Sequence, residues 1–444
     1  MKVLLIQPPL EDFYTTPIRL YPLGLITAAG VFREAGWNVR ILDCLTPLRR
    51  ERIPVPEEFA YLAPYLQDPN FFKGYYRFGI PDAEILSEIR ATSPDLIGIS
   101  AQFTAYYKSV EELARLVKRH FRIPIMIGGN HATVFASEIR RRTPEIDHIL
   151  TGPAEDSLPR FFDSWGDEKI PARLDWKKIR PGHDLLPAGL YKIGKKNYVS
   201  LTASRGCPQG CDFCSVHRMF GRKLEYRSQE SVLEEIRWNY FRREVRLFNF
   251  EDDNLSFDRR WFMDFLSAVA EDPELRDIEL TAMNGLYYPT LDEELLAAMK
   301  RAGFRQLNLS LISQSGTLRA AHGRPAGLTD FEGLIRAAQE LGLFITVYVI
   351  IGLPGQAYDE VRKTLDYLLD LGVLVGPSVF YLTAGSELYE KIPISPGIKG
   401  NWNFFRSSAF AVETRDISRA QLLELFLYVR EKNLANKEAC GRPH

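Results

Sequence analysis

The N-terminal third of the chain alternates short apolar runs with segments in which apolar residues recur at helical spacing. This alternation of strand and helix patterns favours a parallel sheet with right-handed crossovers. We therefore predict an α/β domain with an open, doubly wound sheet, whose ligand crevice lies at the carboxyl ends of the strands. The predicted strands are Val3–Ile6, Val39–Asp43, Asp95–Ser100, Pro124–Gly128 and His148–Thr151, and the clearest helices are Leu23–Ala35, Ser109–His120 and Thr133–Arg142.

A second alternating series fills most of the remaining chain. Its six βα units predict a partial parallel barrel, (β/α)6, a type of fold whose active site gathers at the C-terminal ends of the strands. The predicted strands are Tyr198–Ala203, Val245–Phe250, Ile278–Ala282, Gln306–Leu311, Phe344–Ile350 and Val375–Tyr381, and the helices between them include Gln229–Phe241, Leu291–Ala302, Phe331–Leu341 and Asp359–Leu371.

These patterns also predict the domain boundaries. Residues 1–165 form the first domain, 166–197 a Pro- and Gly-containing linker, 198–385 the partial barrel and 386–444 a C-terminal helical extension. Within the extension, Ser418–Asn436 is predicted to be one amphipathic helix. The Pro- and aromatic-rich stretch Thr46–Pro81 is too long for an ordinary loop, so we expect a lid or an embellishment of the first domain.

Composition and charge narrow the classes of function. Of the 444 residues, 45% are hydrophobic and 25% are charged, which is typical of a globular protein, and the net charge is −1. Such an even balance of basic and acidic residues gives no electrostatic reason to expect a nucleic-acid or membrane-surface partner. The longest apolar stretch, Leu343–Ile351, is about half the ~18 residues of a membrane helix. The apolar N-terminal run is too short for a signal peptide, so we expect a cytoplasmic protein.

Three of the five cysteines form the sharpest chemical signal. Cys207, Cys211 and Cys214 have the spacing C-x3-C-x2-C directly after the first strand of the predicted barrel. Three thiolates on one short loop can hold three irons of a four-iron cluster and leave the fourth iron open to a substrate or cofactor. Two alternatives remain at this point. One is a structural zinc site with His217 as the fourth ligand, and the other is a group of ordinary buried thiols.

The segment CPQGCDFC at 207–214 resembles the signature of the radical S-adenosylmethionine (SAM) superfamily, including the aromatic Phe213 before the last cysteine. The resemblance extends over roughly 198–385 and implies a [4Fe-4S] cluster held by the three cysteines. It further implies that the open iron binds SAM, and that an electron from the cluster cleaves SAM to a 5′-deoxyadenosyl radical, which abstracts hydrogen from carbon.

The same resemblance implies SAM contacts at the ends of later strands. Among the acidic residues that end the second strand, Asp252 is the favoured partner of the SAM amino group, although a solvated acidic loop is the alternative. Ser310 and Gln314 suit the SAM carboxylate or ribose hydroxyls. Many relatives carry Glu where Gln314 stands. The glycine turn that begins at Ile351 would allow the backbone to approach the adenine. The implied SAM-binding residues are Phe213, Asp252, Ser310, Gln314 and Ile351.

The N-terminal domain resembles the Rossmann-like cobalamin-binding domain that is fused to many radical SAM enzymes. The resemblance is carried by five short motifs at or after the ends of predicted strands, among them Gly128-Gly129-Asn130-His131. Ser100 and Thr104 would hydrogen-bond the nucleotide tail. A degenerate domain that has lost its cofactor is the alternative. The implied cobalamin-binding residues are Pro8, Leu23, Gly24, Ser100, Gln102, Phe103, Thr104, Gly128, Gly129, His131, Gly152 and Glu155.

One departure concerns the lower cobalt ligand. Cobalamin domains that ligate cobalt through histidine use D-x-H-x-x-G, and none of the seven histidines here has Asp two residues before it. The resemblance then implies base-off cobalamin without a motif histidine. We expect the loop Gln102–Tyr107 to lie under the corrin, with Gln102, Phe103 or Tyr106 facing cobalt, and His131 to contact the tail.

Together the two resemblances imply cobalamin-dependent C-methylation at an unactivated carbon. A cyclase or other cobalamin-dependent radical SAM enzyme that does not transfer methyl would carry the same motifs, and a non-catalytic zinc-stabilised interaction protein is the remaining alternative. The expected partners are an organic substrate, which is a small molecule, a lipid or a peptidyl side chain, and an electron donor such as flavodoxin or ferredoxin.

Overall fold

The computed structural model describes residues 1–16, 21–165, 173–325, 327–328 and 330–439, with side chains to 435. The chain forms two compact units. The first contains the described residues of Met1–Tyr191 together with His217–Gly221 and Lys399–Phe405, and the second contains Lys192–Val216, Arg222–Ile398 and the described residues from Arg406 onward. Residues 166–172 of the predicted linker lie outside the described residues. Cys440 also lies outside them.

The first unit is built on five parallel strands in the order β3-β1-β6-β7-β8. Runs of β-branched and apolar residues form these strands because both faces of the sheet are buried. Val3 and Leu5 pack with Phe32 and Phe162 in one core cluster. The strands are β1 (Lys2–Gln7), β2 (Leu10–Asp12), β3 (Asn38–Asp43), β4 (Arg50–Ile53), β5 (Tyr75–Phe78), β6 (Leu96–Ser100), β7 (Ile125–Gly128) and β8 (His148–Ile149).

The helices of this unit connect the parallel strands, as predicted, with one difference. The predicted helix Thr133–Arg142 is two helices that meet at Phe135, whose backbone leaves the helical region. The ring of Phe135 lies 5.0 Å from those of both His131 and Trp402, so packing across the chain decides this break. The helices are α1 (Leu23–Glu34), α2 (Asp82–Thr92), α3 (Tyr107–His120), α4 (Asn130–Val134), α5 (Ala136–Arg142) and α6 (Ala154–Ser164).

The insertion predicted between Thr46 and Pro81 contributes to a small antiparallel sheet of order β2-β5-β4 and a 3-10 helix, Glu57–Gln67. Its aromatic side chains form their own core around Phe13, which lies 5.3 Å from Phe59 and 4.8 Å from Tyr75 between ring centres. The segment is therefore an ordered embellishment of the first unit.

The second unit contains the six predicted parallel strands in two groups, β10-β13-β14 and β15-β16-β17. Two isolated parallel bridges, Leu280 to Phe304 and Leu286 to Leu309, connect the groups. The α/β class with parallel strands is thus confirmed. The strands are β9 (Lys192–Ile193), β10 (Lys196–Leu201), β11 (Ser204–Arg205), β12 (Glu225–Tyr226), β13 (Leu247–Phe250), β14 (Glu279–Thr281), β15 (Gln306–Ser310), β16 (Phe344–Ile351) and β17 (Leu374–Val379).

Several helices in this part of the chain begin at side-chain caps. Ser228, Asp258, Asp292 and Ser315 each accept a hydrogen bond from a backbone N–H three residues later, which satisfies an otherwise unpaired donor. The helices are α7 (Val216–Phe220), α8 (Gln229–Arg243), α9 (Arg259–Glu271), α10 (Glu293–Arg301), α11 (Gly316–Ala321), α12 (Phe331–Glu340), α13 (Tyr358–Asp370), α14 (Glu387–Lys391), α15 (Pro396–Gly400) and α16 (Arg419–Ala439). Among the described residues, no helix combines the length and the apolar character needed to cross a membrane.

Candidate functional site

The three clustered cysteines lie on the loop between β11 and α7, just after strand β10. All three are free thiols of intermediate exposure. Burial raises the pKa of Cys207 and raises the pKa of Cys214 to about 11. In the described part of the chain, no three His, Cys, Asp or Glu side chains already form a group spaced to hold a metal ion. Two nitrogen donors nevertheless point at sulfur atoms of the loop, which suits sulfurs that carry negative charge as cluster ligands.

The acidic segment after β13 holds the first half of this loop at three successive points. Asp252 accepts hydrogen bonds from the backbone N–H groups of Ala203 and Ser204 and from the Ser204 hydroxyl. Asp253 accepts from the N–H of Gly206 at 3.2 Å. Asn254 follows, and its Nδ2 donates to Sγ of Cys207 at 3.7 Å. The segment is therefore a brace for the loop rather than a solvated acidic turn.

Asp252, the residue expected to contact the SAM amino group, is enclosed in this brace. Its side chain is only 4% exposed. Burial raises its pKa to about 7, because the loss of hydration outweighs the hydrogen bonds from Ser204 and Ala203, which lower the pKa. In this structure its carboxylate is bound to the backbone N–H groups of 203 and 204.

The second half of the cysteine loop is held by residues that follow α11, through contacts that the sequence did not reveal. Nδ1 of His322 lies 3.0 Å from Oδ1 of Asp212, and its Nε2 lies 3.0 Å from the carbonyl oxygen of Pro354. Nε of Arg324 donates to Sγ of Cys211 at 2.8 Å. No local sequence pattern marks these residues, because the contacts with Asp212 and Cys211 span 110 and 113 residues and the contact with Pro354 spans 32.

The other expected SAM residues lie near the same strand ends. Oγ of Ser310, the last residue of β15, accepts from Nη1 of Arg324 at 3.3 Å. The rings of Phe213 and His322 are 6.3 Å apart. The backbone N–H of Gln314 donates to Oγ1 of Thr364.

Ile351 ends strand β16 and begins the turn that was expected to approach the adenine. Its side chain is fully buried, and its carbonyl accepts from the N–H of Phe380. The turn that follows Ile351 contains Pro354, whose carbonyl faces His322.

In the first unit, several of the expected cobalamin residues meet at the carboxyl edge of the sheet. Ser100 and Gly128 end neighbouring strands in register. Gly129 has φ +120°, and a Cβ there would lie 2.8 Å from the carbonyl oxygen of Ala101, so only glycine allows this close approach. The N–H of Gly152 donates to Oγ1 of Thr133 on α4.

The remaining expected residues of this edge differ in exposure. Gln102 and Gly24 are exposed, Leu23, Phe103 and Thr104 are partly exposed, and Pro8 and Glu155 are buried. Of the three side chains expected to face cobalt, Gln102 is exposed and Phe103 and Tyr106 are partly exposed, and the Tyr106 hydroxyl donates to Asp12.

His131 belongs to the core of the first unit. Its ring centre lies 4.4 Å from Tyr107, 5.0 Å from Phe135 and 4.6 Å from Trp402, and its side chain is 1% exposed. Burial, together with the charge of Arg142, lowers its pKa to about 3. The imidazole is therefore neutral and enclosed by three aromatic rings, and its Nδ1 lies 3.1 Å from Oγ1 of Thr104, another residue expected to contact the cobalamin tail.

Two family models match the chain in the order of its two predicted domains. The B12 binding domain matches residues 15–162, and the radical SAM superfamily matches residues 201–368, which includes the cysteine loop. The chain is a radical SAM enzyme with a B12-binding domain. Its cofactors are therefore a [4Fe-4S] cluster, SAM and cobalamin, and the alternative of a zinc-stabilised interaction protein is set aside.

Known members of this family resemble the chain over most of its length. An uncharacterised methyltransferase of Pyrococcus horikoshii is 26% identical over 84% of this chain and 79% of its own. An anaerobic magnesium-protoporphyrin IX monomethyl ester cyclase of Synechocystis is 25% identical over 79% of this chain and 68% of its own. The family thus includes both methyltransferases and a cyclase.

A solved structure confirms the fold of this radical SAM enzyme. The methyltransferase TsrM of Kitasatospora setae, with cobalamin and a [4Fe-4S] cluster bound, has a TM-score of 0.64, 17% identity and coverage of 87% of this chain and 74% of its own. At this identity the likeness establishes the fold alone.

Proposed function

We propose that the protein is a cobalamin-dependent radical SAM methyltransferase that transfers a methyl group to an unactivated carbon of an organic substrate. The observation that carries the proposal is the cysteine loop, with nitrogen donors directed at its sulfur atoms, in a chain that also has a B12-binding domain. The methyltransferase from Pyrococcus horikoshii supports it.

Cys207, Cys211 and Cys214 are the proposed cluster ligands. They come from one loop that is braced at its start by the segment Asp252–Asn254 and at its end by contacts from the residues that follow α11. This double support holds the loop backbone in place, and a site that is held in place needs less reorganisation to bind its ligand. When bound, the three cofactors supply the electron-transfer, radical and methyl-transfer chemistry, while the protein binds, orients and excludes water.

The SAM site is proposed at the ends of β13 and β15. Ser310 contributes a hydroxyl, and Phe213 and Gln314 lie on the loops beside it. Because Asp252 is buried in the loop brace, we assign the contact with the cationic amino group to Asp253, whose side chain is partly exposed at the first turn of the cysteine loop.

The cobalamin site is proposed at the carboxyl edge formed by β1, β6 and β7. Gly24, Ser100, Gln102, Gly128, Gly129 and Gly152 would contact the cofactor there, with Gln102 and Phe103 nearest to cobalt. Because no Asp-x-His pair occurs in the chain and His131 is enclosed in the core, cobalamin would be bound without a histidine ligand.

The function is tested by incubating the cofactor-loaded protein without oxygen with a reductant, SAM that carries a deuterated methyl group, and a panel of small molecules, lipids and peptides. Mass spectrometry should find a product in which the labelled methyl is attached to carbon. A product that forms without the label would contradict methyl transfer. It would favour the second candidate function, that of a cyclase, which is suggested by the similarity to the Synechocystis cyclase.

A further inference from the structure

Three consecutive residues after α11, His322, Gly323 and Arg324, each contact the cysteine loop at a different point. The His322 ring binds Asp212, and Gly323 packs against the Gly210 carbonyl. Arg324 reaches the sulfur of Cys211. We call these three residues the loop clamp.

His322 fixes the loop clamp to the rest of the second unit. Both of its ring nitrogens face oxygen atoms that only accept hydrogen bonds, a carboxylate at Nδ1 and the Pro354 carbonyl at Nε2. Both nitrogens must therefore carry protons for both bonds to form. The clamp thus has a rigid base between the cysteine loop and the turn after β16.

The guanidinium of Arg324 is held in place by three different groups. Besides the bond from Nε to Cys211, Nη1 donates to Oγ of Ser310 at 3.3 Å, and the guanidinium carbon lies 5.1 Å from the ring centre of Tyr287. A guanidinium that is largely shielded from water needs an anionic partner, because burying an unpaired charge is costly.

None of the described residues offers that partner as a carboxylate. Among the described residues, no ion pair joins Arg324 to an Asp or Glu side chain, and the hydrogen-bond partner of Arg324 that can carry a negative charge is the Cys211 sulfur at 2.8 Å. The charge of Arg324 is therefore directed at a sulfur atom and not at an ordinary ion pair.

We propose that Arg324 is the counter-ion of the Cys211 sulfur and that it makes the cluster easier to reduce. The proposal rests on the assignment of Cys211 as a cluster ligand under the proposed function. Reduction adds an electron to the cluster and its sulfur ligands, so a fixed positive charge that donates a hydrogen bond to one of them stabilises the reduced state more than the oxidised state. Arg324 is thus a positioning residue that acts through Cys211.

The test is the midpoint potential of the reconstituted holoenzyme, measured in the absence of SAM so that a contact with SAM cannot contribute. Arg324→Gln should lower the equilibrium constant for reduction of the cluster at least tenfold. For one electron this is a shift of the midpoint potential by about 59 mV to more negative values. Arg324→Lys, which keeps the charge but loses the planar fork, should fall between Gln and the natural protein. The matched control is Arg319→Gln, because Arg319 is a buried arginine of α11 that donates to the carbonyls of Ser313 and Gln314, and it should leave the potential unchanged.

Iron and sulfide content is measured on every sample. Full clusters with the same potential in Arg324→Gln and the natural protein would overturn the proposal. Loss of the cluster in both Arg324 variants, with a full cluster in Arg319→Gln, would also overturn it, because Arg324 would then act only in assembly. Failure of the natural protein to bind a four-iron cluster is a separate outcome, which would refute the proposed function itself.

Discussion

At the level of single residues, Gly323 lies where a side chain would collide with the cysteine loop. Its φ is +70°, and a Cβ at this position would lie 2.2 Å from the carbonyl oxygen of Gly210. Gly342 is a matched control, because its φ is +66° but the nearest atom to a Cβ is the end of the Lys300 side chain at 3.6 Å. The left-handed conformation alone costs a non-glycine residue roughly 1–2 kcal/mol, and this cost applies at both positions. The two positions therefore differ mainly in the steric overlap of an added Cβ with the Gly210 carbonyl, which occurs only at Gly323.

We therefore expect Gly323→Ala to reduce the iron content of the reconstituted protein strongly, because the loop must move away from the added methyl group. Gly342→Ala should lower the free energy of unfolding by the conformational cost while the iron content is kept. Equal iron content in the two variants would show that the cysteine loop tolerates the displacement.

The neighbouring carboxylates Asp252 and Asp253 are expected to behave differently. Asp253→Asn removes the proposed partner of the SAM amino group, a charge-assisted contact of about 1.5–3 kcal/mol, so the Kd of SAM should rise about tenfold to a hundredfold. Asp252→Asn should mainly lower the free energy of unfolding, because it replaces Oδ2, which accepts from the N–H of Ala203, by an amide group that can only donate. Calorimetry of SAM binding and denaturant unfolding separate the two effects. A larger rise in Kd for Asp252→Asn would return the contact to Asp252.

His131 makes the stability of the first unit depend on pH. Its pKa is lowered to about 3 in the folded protein from 6.5, so the unfolded chain binds a proton at pH values where the folded protein does not. Stability is therefore full above 6.5 and falls as the pH decreases toward 3, by up to roughly 1.4 kcal/mol per pH unit. His131→Phe should flatten this slope in denaturant unfolding of the cofactor-free protein, whereas His120→Phe on the exposed end of α3 should keep it. An unchanged slope in His131→Phe would refute the assignment.

At the level of elements, the strands and the cysteine loop could be predicted because their signals are local. The strands of a parallel sheet are buried on both faces, so they are formed by apolar runs such as Val3–Ile6 and Phe344–Ile350. The break of the helix at Phe135 could not be predicted, because it depends on Trp402, which is distant in sequence. The loop clamp was missed for the same reason, since His322 and Asp212 are 110 residues apart.

The short segment Lys399–Phe405 belongs to the first unit although it is far in sequence from Met1–Tyr191, which forms most of that unit. Trp402 packs on His131 and Phe135, and the guanidinium carbon of Arg142 lies 4.1 Å from its ring centre. Trp402→Ala should therefore lower the free energy of unfolding by about 3–5 kcal/mol, as is usual for a buried large aromatic residue. Phe241→Ala, at a side chain that is 52% exposed, should change it by no more than about 0.5 kcal/mol. Similar small effects for both would mean that the segment does not stabilise the unit.

At the level of the whole molecule, the chain combines two cofactor-binding domains, and each has its own local set of candidate residues. The cluster ligands come from one loop of the second unit, and the proposed cobalamin contacts come from strand ends of the first unit. The family and the cofactors follow from these motifs, whereas the choice between methyl transfer and cyclisation does not, because both reactions use the same cofactors. Only the products of the reaction distinguish them.

The most direct test of the account is to measure the two products of SAM, S-adenosylhomocysteine and 5′-deoxyadenosine, from the reduced holoenzyme. The account predicts both products in the presence of cobalamin, and loss of S-adenosylhomocysteine alone when cobalamin is omitted. It also predicts loss of 5′-deoxyadenosine when Cys207, Cys211 and Cys214 are all replaced by Ala, with cobalamin binding retained. Formation of 5′-deoxyadenosine without any cobalamin-dependent S-adenosylhomocysteine would contradict methyl transfer, and 5′-deoxyadenosine from the triple variant would contradict the cluster assignment.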